Sequence, residues 1–515
     1  AEQAAGSASA AAGEPAVASR RRRRREHWFT VRPVGGAGEI GGSAILVETQ
    51  NHHRVLLDAG QRVKGEYGVD TTHLFHRGVR GVDHLHGILV SHAHIDHVGS
   101  LPTIWDYHST QQDAEVPVWM TAPTKDLARI MLRDSAKIQH AREYERDALS
   151  ESDFGQEAMD PVYTEANVNE ALEAVHTVDP HTPVPIQDTT LVARFCPVSH
   201  VLGSCAIHLT DTDSGHTLLY SGDLGPISQP QLTLPDFGGT QLVPRADTVL
   251  MESTYGLLKD SEREGRKRAG LDGRDREISV LFDNAERALE RGGFVLMPSF
   301  SLGRTQELVR LIGDRLRKVK IYIAGMGETI FEVYDQFQRK DKGFWVRPGT
   351  YPDTDPIGRR MRGRTIEQKV EEILAGDNGL IIASPAMLSG GWSRAFMERM
   401  IGDPRHALIF SGYLPRHGTG IARLRELGTN RLLKLDGEQA RIQCDWVKVG
   451  LSAHAPALDL RRFAREMAAD HDHVNFGLVH GEPQAQRELA ADIGTIENTT
   501  AKSLSNGEPW VPTRP

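Results

Sequence analysis

The chain has 515 residues, 39% of them hydrophobic and 25% charged, with a formal net charge of −9; this excludes a fibrous or wholly disordered protein and calls for two or three domains, or one inserted in another. No apolar run approaches the roughly 20 residues that cross a bilayer. The three cysteines, Cys196, Cys205 and Cys444, show no CxxC spacing, which excludes a disulfide framework, leaves histidine and carboxylate as ligands for any metal, and fits a reducing, cytoplasmic compartment.

Residues 1–26 open with AEQAAGSASAAAGEPAVAS, which lacks an apolar h-region and reads as a disordered tail, not a signal peptide. The tail ends in Arg20 to Arg25, a run expected to be solvated and able to grip phosphates without sequence preference. From 27 to 255 short β-rich runs (SAILVE, RVLLDAG, GILVSH, PVWMTA, TLLYSGD, TVLMES) are broken by glycine turns, and TKDLARIMLRDSAKIQHAREY and EANVNEALEAV carry helical periodicity. From 256 to 440 the rhythm becomes strand then helix: FVLMPSF leads into SLGRTQELVRLIGDRL, GLIIASPAML into SGGWSRAFMERMI, and ALIFSGY into GIARLREL. That alternation marks a parallel α/β domain. Shorter elements resume over 441–515, so the second domain is expected to interrupt the first, with the C-terminal segment returning to complete it. The inserted segment holds 32 Lys and Arg against 26 Asp and Glu, a surplus of 6 where the rest of the chain sums to −15. Its stretches REGRKRAG, RLRKVK and GRRMRGR form an electrostatic footprint for nucleic acid if they share a face.

The chemistry-bearing residues recur at strand ends. VSHAHIDHVG, residues 90–99, places His92, His94, Asp96 and His97 directly after an apolar strand; Asp58 ends LLDAG, His200 lies in VSHVLGS, Asp223 in YSGDLG and His480 in LVHGE. Taken singly, a buried histidine or a turn aspartate would suit each place. Together they offer the nitrogen and oxygen ligands that two zinc ions take from rigid strand ends while keeping positions open for water.

These motifs resemble the metallo-β-lactamase superfamily, and ESTYG, GLSAHA and LVHGE resemble the three extra motifs of its nucleic-acid-processing β-CASP branch. The resemblance runs from Phe29 to about Leu489. PSFSLGRTQEL, ASPAMLSGG and GYLPRHGTG are similar to segments of the endonuclease subunit of the cleavage and polyadenylation specificity factor and its short bacterial relatives, and PVGGAGEIGGS is similar to the start of RNase J. Only 35 residues follow His480, which reads as too few for RNase J's extra C-terminal domain. The resemblance implies an α/β fold, a metallo-β-lactamase αββα sandwich with an inserted parallel α/β β-CASP domain. It implies two zinc ions per chain, the first on His92, His94 and His200, the second on Asp96, His97 and His480, with Asp223 bridging both. Asp58 would orient a ligand from behind. His454 of SAHA would be the general acid, held and kept protonated by Glu252 of ESTYG, and Asp96 counts with these two among the catalytic residues.

Helix starts and glycine turns offer free N–H groups, so Gly303, Ser389, Gly390 and Gly391 are candidate phosphate contacts, with Ser452 of GLSAHA beside them. Arg359, Arg360, Arg362 and Arg364 are candidate contacts to RNA running between the two domains. After His454 the chain reads Ala455-Pro456, where the family often has a polar residue; proline here stiffens the turn or starts the helix PALDLRRFA. The expected function is a ribonuclease leaving 5′-phosphate and 3′-hydroxyl ends, with RNA as partner, no membrane, and at most a second copy of the chain as a homodimer. The alternatives are a DNA nuclease of the same branch, in which the position of His480 tends to be apolar, a small-molecule metallo-hydrolase, or an inactive scaffold, which would have lost ligands.

Overall fold

Side-chain alternation decides how the sheets stack. In a computed structural model, residues 29–64, 68–70, 74, 82–112, 115–148, 162–226, 243–257, 273–316, 318–340, 354–358, 363–388, 390–411, 432–435 and 438–512 are described. The Arg20 to Arg25 run and the expected contacts Ser389, Arg359, Arg360 and Arg362 lie outside the described residues.

A first sheet has six strands in the spatial order Thr30–Gly35, Ala44–Glu48, Arg54–Leu57, Gly87–Leu89, Val118–Thr121 and Val175–Val178. Its first three strands are antiparallel and the rest run parallel. A second sheet has seven, in the order Thr499–Ser503, Val474–Val479, Thr248–Glu252, Thr217–Tyr220, Cys205–Asp211, Leu191–Pro197 and Val184–Pro185. Along this sheet Phe195, Ile207, Leu218, Tyr220 and Leu250 join a core shared with the first sheet. The intervening Cys196, Ala206, Leu219, Val249 and Met251 face the opposite way. Period two thus gives the second sheet two apolar faces. The helices Ala122–Ala148 and Glu165–Glu173 supply Leu127, Leu132, Val168 and Leu172 to the shared core, while Ala457–Ala468 and Pro483–Ile493 cover the far face through Leu460, Phe463, Leu489 and Ile493. The layers are therefore helix, sheet, sheet, helix, and each Leu or Ile so buried stabilises by ~1.5–3 kcal/mol. Pro456 stands at the N-cap of Ala457–Ala468, with an extended backbone, so proline here does start the helix.

The third sheet is parallel throughout, in the order Thr354–Pro356, Ile321–Ala324, Leu380–Ala383, Val295–Pro298, Ala407–Phe410 and Asp445–Lys448. Its central strands VLMP, IYIA, LIIA and ALIF are buried on both faces, as helix-covered parallel strands must be. The sequence leaves the second sheet at Glu252 and returns at Val474, which pairs parallel beside it. The chain of the parallel sheet extends through Asp445–Lys448, past the point at 440 where the change of rhythm set its end. That strand reads Asp-Trp-Val-Lys and lies largely exposed at the sheet edge, so it has no apolar run to announce it. Among the described residues no helix is long and apolar enough to cross a membrane.

Candidate metal centre

The members of the cluster stand just beyond the carboxyl ends of strands, with Asp96 and His97 on the short helix Ile95–Val98. His92 and His94 follow Gly87–Leu89, His200 follows Leu191–Pro197, Asp223 follows Thr217–Tyr220, and His480 follows Val474–Val479. Two of these turns need unusual backbone: Asp58 at φ +61° and His480 at φ +45° sit in the left-handed region, which side chains other than glycine rarely adopt without support. The support for His480 comes from the glycine-rich start. Its N–H donates to the Gly36 carbonyl at 2.5 Å, and the next N–H, of Gly481, donates to the Glu39 carbonyl at 2.9 Å. Gly36 itself has φ +82°, and a Cβ there would lie 2.8 Å from the Ser43 backbone, which is why PVGGAGEIGGS carries glycine at this point.

Three imidazole nitrogens converge on one point. His94 Nδ1 lies 3.1 Å from His92 Nε2 and 3.0 Å from His200 Nε2. The far nitrogen of His200, Nδ1, contacts the Ala453 carbonyl at 3.0 Å, where it can only donate, so its Nε2 presents a lone pair to the centre. His92 Nδ1 is likewise tied to Ser91 Oγ at 3.0 Å. Asp223 Oδ2 stands 3.7 Å from His92 Nε2 and 3.6 Å from His200 Nε2. Its other oxygen, Oδ1, stands 3.2 Å from His97 Nε2 and 3.4 Å from His480 Nδ1, and His480 Nε2 approaches Asp96 Oδ2 at 3.3 Å. The donor atoms of His92, His94, His200 and Asp223 lie within 4.8 Å of one another, as do those of Asp96, His97 and His480. One carboxylate therefore faces two ligand groups.

The donor set fits divalent cations. Both Asp223 oxygens and His97 Nε2 are buried without a hydrogen-bond partner, and an unsatisfied buried carboxylate costs several kcal/mol. A cation on each side would satisfy all three atoms, and imidazole with carboxylate suits zinc. Burial pushes the imidazoles of His92 and His200 well below their ordinary value, and His94 below it, so all three are neutral and able to ligate near pH 7. Burial also opposes charge on His97, but the carboxylates of Asp223, Asp58 and Asp96 outweigh it and raise that group. Burial would raise Asp96 and Asp223; the surrounding histidines overcome it and hold both ionised.

Asp58 lies behind the ligands. Its Oδ2 accepts from His97 Nδ1, Ser91 Oγ and Tyr220 OH, each at 2.7 Å, and its Oδ1 accepts from the Ser91 N–H at 2.6 Å. These bonds fix the His97 ring so that Nε2 points at Asp223. Replacing Asp58 with Ala is expected to weaken metal binding about 10- to 100-fold, read by competition with a chromophoric chelator; an unchanged affinity would remove Asp58 from the support of the centre.

His454 stands over the cluster, its ring centroid 4.8 Å from that of His200 and 5.6 Å from that of His480. Its Nδ1 lies 3.2 Å from Glu252 Oε1 and 3.7 Å from Asp223 Oδ2. Glu252 is fully buried and fixed, accepting from the Leu224 N–H at 2.9 Å and the Thr254 N–H at 3.0 Å. Burial alone would lower His454, yet Asp223 and then Glu252 raise it to about 9. Cations on Asp223 would offset its share of that attraction, and Glu252 is the nearer of the two carboxylates to His454 Nδ1. Thr254, which the sequence did not single out, touches both His454 Nδ1 at 3.4 Å and His480 Nδ1 at 3.0 Å. Its only signal was its place inside ESTYG.

The expected phosphate contacts divide. Gly303, at φ +83°, begins the helix Arg304–Arg315, and a Cβ on it would lie 2.6 Å from Val201 Cγ1 and 3.9 Å from the His200 carbonyl, so this helix start abuts the metal loop. Ser452 Oγ accepts the His454 N–H at 3.1 Å. Gly390 is the N-cap of the helix Gly391–Met400, beyond the strand Leu380–Ala383; a Cβ on it would meet nothing within 4 Å, and one on Gly391 would meet Pro385 and Ser384. Arg364 is half-exposed and paired with Glu372 at the surface.

Residues 37–261 match the model of the Metallo-beta-lactamase superfamily, 305–421 the Beta-Casp domain, and 439–501 the Zn-dependent metallo-hydrolase RNA specificity domain. The chain is similar to transcription termination factor FttA of Methanothermobacter thermautotrophicus, 26% identical over 93% of this chain and 71% of that one. It is also similar to endoribonuclease ysh1 of Schizosaccharomyces pombe, 28% identical over 92% of this chain and 56% of that one, and to cleavage and polyadenylation specificity factor 73 of Drosophila melanogaster, 27% identical over 90% and 63%. A crystal structure of a protein of unknown function from Enterococcus faecalis V583 shares the fold, with a TM-score of 0.54 at 13% identity over 94% of this chain and all of that one. The Metallo-beta-lactamase match spans Asp58 to Asp223 and the RNA specificity match spans His454 and His480, with the Beta-Casp match between them, so the chain carries the domain set of the β-CASP branch of the metallo-β-lactamase superfamily.

Proposed function

We propose that this protein is a ribonuclease that hydrolyses RNA phosphodiester bonds, leaving 5′-phosphate and 3′-hydroxyl ends, with two zinc ions per chain and a cytoplasmic place of action. The observation that carries the reading is Asp223, whose two oxygens face two separate ligand groups while His454, held by Glu252, stands beside them. His92, His94 and His200 with Asp223 would hold one ion, and Asp96, His97 and His480 with Asp223 the other. When bound, such a pair lowers the pKa of water and neutralises charge on phosphoryl oxygens. The chain's own residues do the rest. Glu252 engages His454 Nδ1, which leaves Nε2 to give its proton to the departing 3′-oxygen. RNA, not DNA, is favoured by the likeness to endoribonuclease ysh1 and by the RNA specificity domain match, whose segment contains both His454 and His480.

The test is cleavage of circular and 5′-labelled linear RNA beside matched DNA. Cut circles with 5′-phosphate ends establish internal hydrolysis, and stepwise release from the 5′ end establishes exonuclease action. Cleavage of DNA alone would overturn the reading.

Glu252 is a positioning residue with its own signature. Replacing Glu252 with Gln keeps the shape but removes the charge that raises His454, so the proton leaves at lower pH. Turnover is expected to fall about tenfold, and the alkaline limb of the pH–rate profile to move to lower pH. A limb that stays in place would mean that another group holds the proton.

A further inference from the structure

The loop Gly450–Ala455 that carries His454 is strung between two parts of the molecule. On the metal side, the Ala453 carbonyl receives His200 Nδ1 at 3.0 Å and the Ala455 N–H donates to the Leu224 carbonyl at 2.6 Å. On the other side it is held twice by the helix Gly273–Glu290, which packs on the parallel sheet: Glu277 Oε2 accepts the Gly450 N–H at 2.7 Å, and Arg274 Nη1 donates to the Ser452 carbonyl at 3.2 Å. Arg274 is in turn fixed by Glu307, a fully buried carboxylate that it shares with Arg304, whose Nη1 lies 2.5 Å away. Both Glu307 and Arg304 lie on the helix that Gly303 starts against the His200 loop. This triad has two guanidiniums and one carboxylate, with side chains 9%, 5% and 0% exposed. A buried triad with unbalanced charge is seldom the most stable packing and is better suited to fixing a geometry.

Resting on the reading of His454 as general acid, we propose that Arg274, set by Glu307 and Arg304, is a positioning residue that clamps the Ser452 carbonyl and thereby registers the His454 ring against the metal centre. Gly303, the N-cap of the helix Arg304–Arg315, abuts Val201 beside His200, and Glu307 of that helix holds the Arg274 that reaches the acid loop, so the inserted α/β segment fixes the distance between nucleophile side and acid side. A misplacement of about 1 Å can cost ~10²-fold in rate. The loss falls on proton delivery, not on metal binding, because no ligand atom belongs to the triad.

The experiment compares wild type, Arg274→Ala, Arg274→Lys and His454→Ala on RNA with an ordinary scissile 3′-oxygen and on the same RNA with sulfur there, which leaves without needing a proton. Metal content is measured for each. Arg274→Ala is expected to retain its metal, lose roughly 10- to 100-fold in kcat on the oxygen substrate with little change in KM, and recover most of that loss on sulfur. Arg274→Lys, which keeps the charge but not the planar fork, should fall between. A defect in Arg274→Ala equal on both substrates, or none, while His454→Ala shows the full oxygen–sulfur difference, would overturn the clamp and leave the acid in place. If His454→Ala itself shows no such difference, the acid reading fails and the clamp falls with it.

Discussion

Asp223→Ala is expected to abolish metal binding at both halves of the centre and to reduce RNA cleavage by about 10³- to 10⁴-fold or more. No other residue among those described offers oxygens to both ligand groups: Oδ2 serves the His92 and His200 side, Oδ1 the His97 and His480 side. A peripheral ligand such as His94 would take down one half first, whereas the shared carboxylate removes an anchor and its charge from both. The fold itself should survive, because the Asp223 oxygens make no hydrogen bond to the chain and both sheets are anchored by apolar cores on either side. Zinc therefore supplies the cleanest readout. Wild type should melt at higher temperature as zinc is added, by RT ln(1 + [L]/Kd) of extra stability, and Asp223→Ala should show no such rise. A mutant that still binds one equivalent tightly would mean that Asp223 belongs to one half only.

His454→Ala is expected to retain its metal and its affinity for RNA while losing about 10²- to 10⁴-fold in turnover, the usual contribution of a positioned proton donor. The ring is close enough to the cluster to be mistaken for a ligand: Asp223, His454 and His480 also bring donor atoms within 4.8 Å of one another. Its Nδ1 is nearest to the Glu252 carboxylate at 3.2 Å, with Thr254 Oγ1 at 3.4 Å. Metal content separates the two roles. If His454→Ala loses metal, the residue is a ligand; if turnover and metal are both intact, the proton comes from elsewhere.

The centre was legible because its chemistry is concentrated where a sequence reader looks. His92, His94, Asp96 and His97 fall within six positions, and Asp58, His200, Asp223 and His480 each follow an apolar strand. The strand-and-helix rhythm of the inserted segment was equally plain, since parallel strands covered on both faces are continuous apolar runs. What escaped was whatever depends on distant chain segments meeting. Thr254 reaches His480 across 226 positions, Tyr220 reaches Asp58 across 162, and Arg274 reaches the Ser452 carbonyl across 178. A threonine, a tyrosine or an arginine carries no period or spacing that marks such a contact. The buried Arg304 and Glu307 lie inside a stretch read for its helix and its free N–H groups, and no spacing there marks the two side chains as partners of Arg274. The edge strand Asp445–Lys448 was missed for a related reason, its mixed polarity being that of a strand with one side open.

The most direct test of the account is to count metal and cleavage in one preparation. Purified protein is assayed for zinc by elemental analysis and for hydrolysis of a 3′-labelled RNA, before and after dialysis against a strong chelator and after zinc is returned. The account predicts about two zinc ions per chain, cleavage that disappears with them, products bearing 5′-phosphate, and recovery in step with the metal restored. Unchanged cleavage by protein stripped of metal would contradict it.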